Sequence, residues 1–189
     1  MLAAKIAGTD MSIEKTSPSN IFLVGPMGVG KTTIGRTLAE ELRLEFVDCD
    51  VEIEARCGAE IAWIFDVEGE AGFRDREMEM LAELTDRDNI LLATGGGAVL
   101  RKENRDYLKK RGTVVFLDSS VESLVKRTAK DKKRPLLQNV DPAEVLRRIK
   151  TERDPLYREI ADIRLYVGDK SSRRVVQQVV QLLNREGKL

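Results

Sequence analysis

Histidine is absent from the 189-residue chain. Its absence removes imidazole as a general base, nucleophile activator or metal ligand, and leaves carboxylates as the candidate bases. Cysteine is scarce. Cys49 and Cys57 form no metal-ligand spacing, and two reduced thiols are the expectation, as in a cytoplasmic protein. Net charge is missing too, because 32 Lys and Arg balance 32 Asp and Glu. Such a chain is not expected to bind nucleic acid or a membrane surface, and an anionic ligand must be gripped by local groups of Arg and Lys. No apolar stretch approaches the roughly 20 residues of a membrane span. Residues 1–19 lack the apolar centre of a signal peptide and read as a flexible extension, with Met11 an alternative start.

What is present is a globular composition, 42% apolar, in a length that suits one domain, expected over residues 20–189. Short apolar runs alternate with longer helical patterns. The runs are Ile21 to Val24, Phe46 to Val47, Ile90 to Ala93 and Val114 to Leu117, followed by the alternating Ile163 to Val167. Unbroken apolar strands separated by helices predict a parallel sheet covered on both faces, with the fifth strand at an edge because Arg164 must face water. Ile34, Leu38 and Leu42 share one face of a helix, and Val175, Val176, Val179, Val180 and Leu183 form the core stripe of the last one. Ser119 with Glu122 reads as a capping box, and Asp141-Pro142 with Glu144 as a stronger helix start. Lys130 to Asn139 has no periodicity and is expected to be a mobile loop. Ligands belong at the carboxyl ends of such strands.

Gly25-Pro26-Met27-Gly28-Val29-Gly30-Lys31-Thr32 matches G-x-x-x-x-G-K-[ST] between a strand and a helix. Its glycines let backbone N–H groups converge on phosphate oxygens, the helix start adds partial positive charge, Lys31 reaches the β and γ phosphates, and Thr32 ligates Mg²⁺. Two carboxylates compete for the second metal contact. Asp118 ends the strand that better matches a Walker B segment, but capping of the following helix accounts for it. Asp48 ends another strand, and in an extended Asp48-Cys49-Asp50 both acids would face one side, toward metal and acceptor hydroxyl, although capping of a helix that starts near Val51 could account for one of the two. Thr94-Gly95-Gly96-Gly97 allows close backbone approach to a ligand or is a loose turn. Phe73-Arg74-Asp75-Arg76-Glu77 starts a helix and is either a solvated salt-bridged face or part of a site, with Glu77 able to reach Arg74.

These residues resemble shikimate kinases. GPMGVGKTT (Gly25 to Thr33), Asp48-x-Asp50, IFDVEGEAGFRDRE (Ile64 to Glu77), ATGGGAV (Ala93 to Val99), RPLL (Arg134 to Leu137) and RDPLY (Arg153 to Tyr157) stand in that family's order and spacing between Asn20 and about Val180. The resemblance implies a three-layer α/β/α sandwich of the nucleoside-monophosphate-kinase type, with a five-stranded parallel sheet in the order 2-3-1-4-5 and a short lid at about 130–139. It implies a monomer that transfers the γ-phosphate of ATP to the 3-hydroxyl of shikimate with Mg²⁺, in the route to chorismate and the aromatic amino acids. ATP would lie on Gly28, Val29, Gly30, Lys31, Thr32 and Thr33, with Arg127 against the adenine and Arg134 from the lid on the phosphates. Shikimate would lie on Asp50, Arg74, Gly95, Gly96, Gly97 and Arg153. Lys31, Asp50 and Arg134 carry the catalytic roles, and the metal falls to Thr32, with Asp48 acting through water. Val167-Gly168-Asp169-Lys170 departs from the polar start expected of the adenine loop. A kinase of another hydroxy acid such as gluconate would share the arginine pair, whereas a non-catalytic nucleotide-binding regulator should have lost Asp50, Arg74 or Arg134. A GTPase would need an N-K-x-D motif, and none is present.

Overall fold

In a computed structural model, residues 20–129 and 141–189 are described. The expected N-terminal extension, the lid and Arg134 lie outside them. The elements run β1 (Ile21–Val24), α1 (Lys31–Leu42), β2 (Glu45–Asp48), α2 (Cys49–Cys57), α3 (Ile61–Leu84), β3 (Ile90–Ala93), α4 (Lys102–Arg111), β4 (Thr113–Asp118), α5 (Val121–Thr128), α6 (Pro142–Ile160), β5 (Ile163–Tyr166) and α7 (Ser172–Arg185). The five strands form one parallel sheet in the order β2-β3-β1-β4-β5. This is the expected order.

Strand alternation explains why the central strands read as solid apolar runs. Phe22 and Val24 enter one core with Leu92, Val114 and Phe116, beneath Ile53, Phe73, Met80, Leu108 and Tyr157 from α2, α3, α4 and α6. Ile21 and Leu23 enter the other with Leu91 and Val115, against Ile34, Leu38, Val175 and Val179 from α1 and α7. Successive side chains point to opposite faces, and both faces are covered, so every residue of β1, β3 and β4 must be apolar or partnered. Among the described residues β5 pairs only with β4, and Arg164 is exposed as expected.

Three local readings change. The N-cap of α5 is Ser120, whose side chain accepts from the Ser123 N–H at 3.3 Å, and Ser119 is buried instead. Phe73 does not open a helix. α3 begins at Ile61 and is interrupted at Gly69, whose φ of 71° and ψ of 179° suit glycine alone. Asp48 is the N-cap of α2, so Asp50 lies in the first helical turn and not in an extended segment. The Asp141-Pro142 start stands as expected, with Asp141 accepting from the Ala143 N–H at 2.9 Å. Among the described residues no helix is long and apolar enough to cross a membrane.

Candidate active site

The carboxyl ends of β1, β2 and β3 open onto a cleft of about 320 Å³ lined by Met27, Gly28, Gly30, Lys31, Thr32, Thr33, Asp48, Asp50, Thr94, Gly96 and Arg127. The turn from β1 to α1 forms its floor. Gly28 and Gly30 have φ of 79° and 101°, which a side chain would strain, and a Cβ at Gly25 would collide with the Leu117 carbonyl. Lys31 curls back over this turn, donating to the carbonyls of Gly25 at 2.7 Å and Pro26 at 3.1 Å. Its ammonium therefore already stands above the loop where phosphates would lie.

Thr32 donates to Asp48 Oδ2 at 2.8 Å, while Asp48 Oδ1 accepts from the Asp50 N–H at 3.1 Å. One carboxylate thus caps α2 and reaches the first turn of α1. Asp118 does neither job expected of it. It is buried and held by Lys150 at 2.5 Å and Arg164 at 2.6 Å. Burial opposes its charge, and the bonds from both cations prevail, so its carboxyl titrates below the usual range. It is an anchor for α6 and β5, not an N-cap.

Asp50 lines the same cleft as Lys31 and Thr32. Burial, then the neighbouring carboxylates of Asp48 and Glu77, push its carboxyl up to about 6, with Lys31 and Arg74 working against them. Behind it lies a charged group that the sequence left open between a site and a solvated face. Arg74 donates to Glu77 at 2.7 Å and to Glu70 at 3.0 Å, and the side chain of Glu77 is 0% exposed. Glu77 Oε1 is buried without a hydrogen-bond partner among the described residues, as is Nε of the buried Arg153. Desolvation raises the Glu77 carboxyl, opposed by Arg74 and then Arg153. The cluster is therefore a buried electrostatic group and not a surface charge run.

The glycine run is explained by these neighbours. A Cβ at Gly95 would stand 2.5 Å from Glu77 Oε1 and 3.0 Å from Asp50 Oδ1, one at Gly97 would strike the Arg74 guanidinium, and one at Gly96 would come 3.2 Å from the Met27 nitrogen of the P-loop. The turn is packed between the carboxylate–arginine cluster and the phosphate loop. Arg127 closes the other end, donating to the Val29 carbonyl at 2.8 Å and the Gly168 carbonyl at 2.6 Å. It ties the P-loop to the loop after β5. Both cysteines are free; burial pushes the Cys49 thiol well above its ordinary value, and Cys57 accepts from Arg76 at 3.3 Å.

The family model described as shikimate kinase matches residues 27–184. The chain belongs to the shikimate kinase family. The shikimate kinase of Chromohalobacter salexigens is 58% identical over 165 residues, covering 87% of this chain and 92% of that one. That of Histophilus somni is 55% identical over 166 residues, covering 87% and 95%. The solved shikimate kinase of Acinetobacter baumannii, in complex with shikimate, is 51% identical, covers 90% of this chain and 95% of its own, and superposes with a TM-score of 0.88. A gluconokinase from Sinorhizobium meliloti superposes at 0.55 with 17% identity, a likeness of fold alone. Membership makes the chain an ATP-dependent kinase with a P-loop, and the α/β/α fold expected from the resemblance is the one observed.

Sequence reasoning missed two members of this region. Tyr157, quoted only within RDPLY, donates to the Gly96 carbonyl at 2.5 Å. Lys150 bridges Asp118 and Asp154. Helical spacing could have flagged both, since residues 150, 153 and 157 fall on one face of α6.

Proposed function

We propose that this family member transfers the γ-phosphate of ATP to the 3-hydroxyl of shikimate, with donor and acceptor held end to end in the cleft. The observation that carries the reading is Asp50. It lines the cleft beside Lys31 and Thr32, and it meets the Arg74–Glu77 cluster across Gly95. Phosphoryl transfer needs alignment and charge neutralisation more than covalent chemistry. The Gly28 to Thr33 backbone and Lys31 cradle the β and γ phosphates, and Arg127 lies against the adenine. Arg134, which the resemblance assigns to the phosphates, lies outside the described residues.

At the acceptor end Arg74 and Arg153 fork onto the shikimate carboxylate through paired charge-assisted hydrogen bonds. Gly95, Gly96 and Gly97 bring backbone against the ring. Asp50 accepts from the attacking hydroxyl and orients it. Its elevated pKa, about 6, suits a group that takes up a proton as the oxygen becomes bonded to phosphorus. The Thr32–Asp48 contact fits Mg²⁺: a hydroxyl and a carboxylate oxygen 2.8 Å apart face the phosphate loop, and Mg²⁺ favours few protein ligands with water and phosphate oxygens. Thr32 would hold it directly and Asp48 through water, and when bound it offsets charge on the phosphates.

The test is magnesium-dependent ADP release with shikimate, quinate or gluconate as acceptor. Shikimate alone should sustain rapid release. Equal release with gluconate would transfer the assignment to a broader hydroxy-acid kinase, and release independent of any acceptor would remove it.

A further inference from the structure

α6 carries Arg153, and Tyr157 follows one turn later on the same face. Tyr157 is 1% exposed, and its ring stacks on Phe116 with centroids 5.0 Å apart. A phenylalanine would serve that packing equally well. The hydroxyl does something else: it donates at 2.5 Å to the carbonyl of Gly96, 61 residues away in sequence. Gly96 lines the cleft and sits against the Met27 nitrogen of the P-loop. A single oxygen thus joins the helix of Arg153 to the turn between acceptor and phosphate ends. Burial raises the phenol well above its ordinary value, with the neighbouring Arg153 cation opposing, so the hydroxyl keeps its proton throughout the working pH range.

We propose that the Tyr157 hydroxyl is a positioning group for shikimate: its bond to Gly96 fixes the triglycine turn at the acceptor end, in register with Arg153. This rests on the reading that Gly96 and Arg153 hold shikimate. Without the hydroxyl a part-buried carbonyl loses its partner, and the turn relaxes toward another one. The ring contacts and the phosphate loop stay as they are.

The experiment is steady-state kinetics of Tyr157→Phe, with wild type in parallel. The KM for shikimate should rise about tenfold, as for the loss of one hydrogen bond. The kcat and the KM for ATP should stay within about twofold. A shikimate KM within twofold of wild type overturns the proposal, and so does a loss shared equally by ATP and shikimate, which marks a general structural role. Wild type that fails to turn over shikimate would instead remove the functional reading beneath it. If Tyr157→Phe is not recovered folded, wild type carries the test: the buried Tyr157 hydroxyl proton should give a separate NMR resonance that shifts on adding shikimate and not on adding ADP. A resonance answering to ADP alone, or to neither, overturns the proposal.

Discussion

Replacing Asp50 by asparagine should abolish turnover and stabilise the ligand-free fold. The carboxyl moves from an ordinary 3.8 to about 6, raised by burial and by Asp48 and Glu77. At about 1.4 kcal/mol per tenfold, ionising Asp50 in the fold costs about 3 kcal/mol. The side chain faces an open cleft and sits in the first turn of α2, where a carboxylate gains about 0.3–1 kcal/mol from the helix end that asparagine forgoes. A net gain of about 2 kcal/mol remains. The sign follows from proton binding: between the unfolded and folded pKa values the native state holds more protons, so stability falls as pH rises from about 4 to about 6 and is level above. Urea unfolding of both proteins, without nucleotide or metal, at pH 8 and at pH 4 is the assay. Asp50→Asn should be more stable by about 2 kcal/mol at pH 8 and indistinguishable at pH 4, while losing at least about a hundredfold in kcat. An Asn variant less stable than wild type at pH 8, or still active within severalfold, would refute the reasoning.

Other outcomes follow from the same geometry. Arg74→Ala should retain ATP binding, measured by calorimetry, and lose shikimate affinity by at least about tenfold, because one arm of the carboxylate fork is gone. Glu77→Ala leaves the buried Arg74 with only the half-exposed Glu70 as a partner, removes the buried negative charge near Arg153, and should destabilise by about 3–5 kcal/mol in denaturant titration.

The phosphate site was legible because a turn, three glycines and a helix start are specified within nine consecutive residues, Gly25 to Thr33. The sheet was legible because burial on both faces leaves β1, β3 and β4 no polar alternation. The rest depended on contacts between distant segments. Arg74 and Glu77 look like any exposed i, i+3 pair until α3 packs with Phe73 in the core and turns them inward. Asp118 looked like a cap because its partners, Lys150 and Arg164, lie 32 and 46 residues away. Asp48 and Asp50 reach the same cleft, but through an N-cap and the first turn of α2 and not through strand alternation. Ser119 and Ser120 are equivalent in sequence pattern, and only the exit of β4 decides which hydroxyl meets α5.

End-to-end placement of donor and acceptor can be read directly from paramagnetic broadening of shikimate protons by Mn²⁺ bound with a non-hydrolysable ATP analogue. The proton on carbon 3 should broaden most, and broadening should vanish in Arg74→Ala. Uniform broadening no stronger than that from free Mn²⁺–nucleotide would contradict the shared cleft.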